Sequence, residues 1–291
     1  AIIHGGPFAN IAQGTNTVIA TRMGLSLSEY VVTEAGFGFD LGGEKFLDIK
    51  CQSAGLTPSA VVLVATVRAL KYHGGASLKT LTTPDTGALE KGLPNLQKHL
   101  ENVRQFGLTP VVAINKFISD SDEELNLIQT FCASIGVKAI VANVWGDGGA
   151  GATGLAEAVR DAAEQQSTFK PLYNWTDPVK KKIKTIATRI YGADDVEYTS
   201  QARKDLKKIE QLGLSDLAVC MAKTQKSLSD NPALIGRPEN FNITVREIEI
   251  AAGAGFIVPI TGDMMRMPGL PAIPAAEGMD IDKDGVITGL F

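Results

Sequence analysis

Five short candidate strands, at residues 1–4, 30–33, 60–65, 110–115 and 137–143, several of them continuous runs of Val, Ile, Leu and Ala, each lead into a loop of glycine, aromatic and polar residues. Continuous apolar runs of this length mark strands buried on both faces, as when helices cover both sides of a parallel sheet. Helical stretches lie between the later runs. Residues 88–106 carry Leu89, Leu93, Leu96, Leu100 and Val103 at three- and four-residue steps, which makes one apolar stripe. Residues 119–135 open with Ser and Asp, then Glu123 and Glu124, the chemistry a helix N-terminus favours. Residues 155–166 are Ala-rich and end in polar residues. The alternation predicts an α/β fold with a parallel, doubly wound, P-loop-like sheet and right-handed crossovers.

The pattern changes near Ser167. Lys180, Lys181 and Lys182 sit among Ile183, Ile186 and Ile190 in an amphipathic helix, with the lysines expected on its solvated face. A second helix at 201–212 carries alternating charges. Strands follow at 217–222, 241–250 and 255–260, with a hairpin at 280–287. This order predicts a smaller α+β domain. The domains are therefore set at 1–168, part of a large α/β domain, and 169–291, a smaller α+β domain.

Composition narrows the function. The 291 residues are 44% hydrophobic, enough for one large or two ordinary cores. A net charge of −4 without a basic block argues against a general nucleic-acid binder. There is no run of about 18 apolar residues to cross a membrane. The start lacks the basic and long apolar stretches of a signal peptide; opening mid-strand without Met, it reads as a fragment. Cys51, Cys132 and Cys220 form no Cys-x-x-Cys pair, so reduced, buried thiols in a cytoplasmic protein are expected.

In an open parallel sheet, ligands bind beyond the carboxyl ends of the strands. Here those ends offer His4-Gly5-Gly6-Pro7, Glu34-Ala35-Gly36-Phe37-Gly38, Arg68 with His73 beyond it, Asn115-Lys116-Phe117, and Trp145-Gly146-Asp147. Glycines let backbone N–H groups approach an anionic or planar ligand, and aromatic rings offer faces for stacking. His4, Glu34, Arg68 and His73 are candidates for the rim. A phosphate cradle of the form G-x-x-x-x-G-K-[ST] is absent; Gly74 to Thr80 comes nearest with the wrong spacing. Asn115-Lys116 is also found as a base-reading pair in some nucleotide-binding proteins. Asp280, Asp282 and Asp284 match the start of a calcium loop, but position twelve is Phe291, so a hairpin turn fits better. The three histidines lack metal-ligand spacing, and His99, on a charged helix, is expected at the surface.

Several long strings resemble segments of the formate–tetrahydrofolate ligases. They are His-Gly-Gly-Pro-Phe-Ala-Asn-Ile-Ala, Val-Thr-Glu-Ala-Gly-Phe-Gly, Val-Ala-Thr-Val-Arg-Ala-Leu-Lys, Met-Ala-Lys-Thr-Gln, Ile-Tyr-Gly-Ala-Asp, Met-Pro-Gly-Leu-Pro and Val-Ile-Thr-Gly-Leu-Phe. The likeness runs from residue 1 to residue 291 and covers about the second half of that family's chain. It implies ATP-dependent joining of formate to tetrahydrofolate through formyl phosphate, with Mg²⁺ and a monovalent cation (K⁺ or NH₄⁺), in a cytoplasmic homotetramer. By motif, it implies folate binding at Phe117, Trp145, Pro268 and Leu270, and nucleotide binding at Gly36, Phe37, Gly38 and Asn115. It also implies that phosphate chemistry belongs to an N-terminal half that is not in this sequence. Gln13, Phe39 and Lys116 depart from the usual pattern, and Phe39 is expected to narrow the cleft. The alternative is a catalytically inactive folate- or nucleotide-binding module.

Overall fold

The computed structural model describes residues 8–262 and 272–289. Three of the expected strands form a parallel sheet in the order β1 (Ala60–Ala65), β2 (Thr109–Asn115), β3 (Lys138–Ala142). The run at 1–4 lies outside the described residues. The run at 30–33 forms no strand: Tyr30 is 57% and Val32 90% exposed. Near it stands only an isolated bridge between Thr15 and Ala35, among the described residues. β-branched residues favour a strand only where a neighbour completes the ladder.

Alternation along β2 shows how the sheet is covered. Val112 and Ile114 pack with Leu89, Leu93, Leu96 and Leu100 of the helix Thr86–Gln105, and with Leu125 and Ile128 of the helix Asp122–Ser134. Val111, pointing the other way, packs on Ala158 and Ala162 of the helix Thr153–Ala163. Helices therefore lie on both faces. Among the described residues the strand order runs β1, β2, β3 without a reversal. The helix Asp122–Ser134 begins with a capping box, Ser121 with Glu124, and Glu124 also grips the buried Lys71 at 2.8 Å.

A helical segment absent from the sequence-based reading precedes β1. Phe39–Gly43 and Phe46–Cys51 are π-helical, and Gln52–Ala54 completes the run. Its Leu41, Leu47, Ile49 and Cys51 are buried, but so are Asp40, Glu44, Lys45, Asp48 and Lys50. Charges at nearly every turn disguise it as a loop or a surface helix.

The second sheet is mixed, in the order β4 (Asp195–Tyr198), β6 (Asn242–Ala251), β7 (Phe256–Thr261), β5 (Ala218–Val219). β6 and β7 are antiparallel, and the other two pairings are parallel. The hairpin also forms: β8 (Asp280–Ile281) pairs with β9 (Ile287–Thr288), and the Asp282 carboxylate accepts from the Asp284 and Val286 amides, both at 2.9 Å. One lysine of the expected solvated face is not solvated. Lys182, in the helix Val179–Ile186, is buried and donates to the Trp175, Ser215 and Leu217 carbonyls, each at 2.7 Å. Those carbonyls end other segments and need a donor once covered. Burial brings the Lys182 pKa down to about 8.

The largest core draws on both sides of residue 168, from Phe39, Leu47, Val103 and Phe106 to Ile183, Ile190, Val219 and Ile257. The three thiols fall in three different cores: Cys51 in this one, Cys132 between the first sheet and its helices, Cys220 beside Ile49 and Phe256. All three are free and buried, and burial pushes them up to about 12, 11 and 11 respectively. No helix among the described residues is long and apolar enough to cross a membrane.

Candidate functional site

The carboxyl ends of β1, β2 and β3 lie side by side, since Ala65 pairs with Ile114 and Asn115 with Ala142. After β1, the Thr66 hydroxyl caps the helix Val67–His73 by accepting from Ala69 N at 3.1 Å. That start puts Arg68 in the first turn, at the sheet edge. Its guanidinium lies 4.3 Å from the centroid of the Phe117 ring, and Nη2 donates to Ser119 Oγ at 3.2 Å.

After β2, half-buried Asn115 ends the strand and Lys116 N extends the ladder to the Ala142 carbonyl at 3.1 Å. The chain then turns tightly. Phe117 N donates to Asp120 Oδ2 at 2.9 Å, and Asp120 N donates back to the Phe117 carbonyl at 3.0 Å. This two-way lock fixes the backbone that carries the ring. Ile118 at its tip is 98% exposed.

After β3, Asn143 organises the next loop. Its Nδ2 donates to Asp147 Oδ2 at 2.7 Å and its N–H to the Gly151 carbonyl at 3.1 Å. The loop closes through Gly148, at φ 58° and ψ −140°, a conformation essentially restricted to glycine. It lifts the short helix Val144–Asp147 to the surface and leaves Trp145 88% exposed. An indole so exposed adds little to stability and offers a flat face to a ligand. Phe117 and Trp145 thus rise from adjacent strand ends; among the described residues the two rings are not in contact with each other.

Phe37 belongs to a different group. It adopts φ 60°, a left-handed conformation that costs an aromatic residue about 1–2 kcal/mol, and its ring is 44% exposed. The turn is held from several sides. Gly36 N donates to the Gly14 carbonyl at 3.1 Å. Gly42 leaves no room for a side chain, since a Cβ there would stand 2.0 Å from the Gly36 carbonyl. Lys45 Nζ donates to the Ala9 carbonyl. Asp40 pairs with Lys223 Nζ at 2.9 Å, both buried. Burial works to raise Asp40, but Lys223, with His99 and Lys45 adding to it, outweighs burial and holds the carboxyl below its ordinary range. Lys223 itself follows β5, in the Met-Ala-Lys-Thr-Gln string, and also donates to the Thr224 and Ser227 carbonyls.

Two expectations are corrected here. Phe39 does not narrow a cleft: it is 5% exposed and packs edge-on against Phe106 in the main core, ring centroids 5.9 Å apart. His99 is not a surface residue. Its ring lies against Gly38 and its Nδ1 is buried without a partner; burial lowers its pKa against the pull of Asp40. His73 is half-buried and its Nδ1 accepts from Gly236 N at 3.0 Å, which ties it to residues 228–237. Glu34 is exposed. His4, Pro268 and Leu270 lie outside the described residues.

The structure therefore brings Arg68, Asn115, Phe117 and Trp145 to one edge and sets Gly36, Phe37 and Gly38 in a braced turn of their own. Sequence reasoning missed Ser119, Asp120, Asp40 and Lys223. Asp120 had a signal, an Asp three residues after the ring it locks; the buried ion pair had none. Among the described residues, no group of three or more His, Cys, Asp or Glu is placed to hold a metal ion.

A parallel sheet with a cation-backed ring and an exposed indole along its carboxyl edge has the layout of an α/β protein that binds a flat ligand. A family model described as formate–tetrahydrofolate ligase matches residues 1–291, and the chain belongs to that family. The family's reaction joins formate to tetrahydrofolate and uses ATP, making a carbon–nitrogen bond.

Proposed function

We propose that this chain supplies the folate- and nucleotide-binding cleft for ATP-dependent ligation of formate to tetrahydrofolate. The observation that carries the reading is the presentation of Phe117 and Trp145 on neighbouring strand ends, one ring locked by Asp120 and the other exposed. A pterin held between them keeps the N10 amine of the attached aminobenzoyl arm next to an acyl donor, turning an encounter into a neighbouring-group reaction. In the reaction, a formate oxygen attacks the γ-phosphorus of ATP, giving formyl phosphate and ADP. N10 then attacks the formyl carbon and expels phosphate. Mg²⁺ accompanying ATP would neutralise charge on the transferring phosphoryl group, and a monovalent cation would stimulate the reaction.

The braced turn at Gly36, Phe37 and Gly38, together with Asn115, is assigned to the nucleotide, and the Pro268–Leu270 segment to the folate. Phosphate binding is assigned to residues outside this chain, because the sequence contains no G-x-x-x-x-G-K-[ST] loop. The same absence is what favours a second reading, an inactive folate- or nucleotide-binding module.

Titrating the chain with tetrahydrofolate under anaerobic conditions tests the cleft. Saturable quenching of tryptophan fluorescence is expected, with most of the signal lost in Trp145→Phe. Phe117→Ala should weaken binding by about tenfold, the scale of one lost stacking contact. Quenching that survives in Trp145→Phe, or no binding at all, would remove the assignment. The pure chain should release no ADP in response to formate; steady release would show that the phosphates are held here after all.

A further inference from the structure

The contact between Arg68 and Phe117 has a consequence for which oxidation state of the ligand the edge accepts. The Phe117 ring already has one face occupied, by a guanidinium 4.3 Å from its centroid. A flat ligand can therefore stack only on the other face. The cation is not loosely placed. It springs from the first turn of a capped helix and is anchored by Ser119 Oγ at 3.2 Å, two residues beyond the ring it covers. The ring is equally fixed, by the reciprocal bonds between Phe117 and Asp120. Stacking order is thus guanidinium, Phe117, ligand, with the exposed Trp145 rising from the adjacent strand.

A cation on one face of a benzene ring draws π-density toward itself. The opposite face becomes a better acceptor, and it stacks best on an electron-rich partner. Tetrahydropterin carries amine nitrogens that feed electrons into its remaining pyrimidine ring. The fully oxidised pterin of folic acid is electron-poor and gains nothing from such a face.

We propose that Arg68 is a specificity-determining residue that biases this edge toward reduced, electron-rich pterins by polarising Phe117 from behind. This rests on the folate reading given above. Arg68 acts through Phe117 and does not itself touch the ligand, so it is a positioning and polarising residue.

Isothermal titration calorimetry of the chain with tetrahydrofolate and with folic acid, each under anaerobic conditions, gives the ratio of the two dissociation constants. The wild-type chain is expected to favour tetrahydrofolate. Arg68→Met, which keeps length and removes charge, should lower that preference about two- to fivefold by weakening tetrahydrofolate alone, the scale of a partly exposed cation–π contact. Arg68→Lys should retain most of the preference, because the charge carries the effect. Ser119→Ala, which releases the anchor of the guanidinium, should lower the preference by less; it keeps the test open if Arg68→Met does not fold. Equal weakening of both ligands in Arg68→Met would show that Arg68 only packs, and would overturn the proposal. Loss of the preference in Arg68→Lys would overturn it too. Binding of neither ligand by the wild-type chain would remove the folate reading and this inference with it. Binding of both with an unchanged ratio in every variant would remove the inference alone.

Discussion

Glu44 and Asp48 stand one helical turn apart with no exposed surface. As two carboxylates they would leave Glu44 Oε1 and Oε2 and Asp48 Oδ2 buried without a donor. A proton held between them serves Asp48 Oδ2 and one Glu44 oxygen, and the Lys45 ammonium nearby favours the charge that remains. Burial and the neighbouring Asp48 push Glu44 well above its ordinary value, and burial raises Asp48 to about 7. The sign follows from the unfolded chain, where Asp48 ionises near 3.8. Between 3.8 and about 7 the unfolded state sheds a proton that the folded state keeps, so the Asp48 contribution to stability falls as pH rises through that window, and Glu44, raised well above its ordinary value, extends the decline. Asp48→Asn supplies the donor permanently, and its Oδ1 still accepts from Leu172 N, a bond of 2.8 Å in the native protein. Its melting temperature relative to wild type should rise by about 3 °C or more between pH 5 and pH 8. An unchanged difference across that range would mean that the pair does not share a proton. Such pairs are invisible in the sequence, where Glu44 and Asp48 read as solvent-facing charges. Lys182 defeats a sequence reading for the same reason: residue type gives a surface preference, but the carbonyls that permit its burial come from other segments.

Elements with a continuous apolar signal were legible. β1, β2, β3 and the helix Thr86–Gln105 stand within two residues of their expected bounds, because burial on one or two faces writes itself directly into hydrophobic period. The segment from Phe39 to Ala54 was not legible, since buried charged residues stand among its apolar ones and break the hydrophobic period. One link from it toward the second sheet is the Asp40–Lys223 pair, beside the packing of Ile49 on Ala218 and Cys220. Removing one partner of a fully buried pair strands the other, at a cost of about 3–5 kcal/mol. Lys223→Met should show a loss of that order in urea unfolding. Asp40→Asn combined with Lys223→Met should lose less than the sum of the two single changes, and strict additivity would show that the pair is not coupled. Of the candidate site, the aromatic residues were legible from their place after strands, whereas the groups that lock and polarise them depend on side-chain geometry that no linear pattern encodes.

At the scale of the whole molecule, β1 forms an edge of its sheet among the described residues, and it is an apolar one: Val62 is 38% and Val64 65% exposed. Unpaired backbone beside exposed valines is a template for another strand. Sedimentation velocity should show concentration-dependent association that Val64→Lys reduces; identical behaviour of the two proteins would clear the edge of that role. The division at residue 168 drawn from the sequence is answered by another property of the molecule. Because each thiol sits in its own core and is unreactive while buried, the chain carries three chemical clocks. Under mild denaturant, alkylation followed by mass spectrometry timestamps the opening of each neighbourhood. Three cysteines labelled in step would describe one cooperative body. Cys132 labelled on a different schedule from Cys220 would describe two, with Cys51 disclosing which of them the charged helical segment travels with.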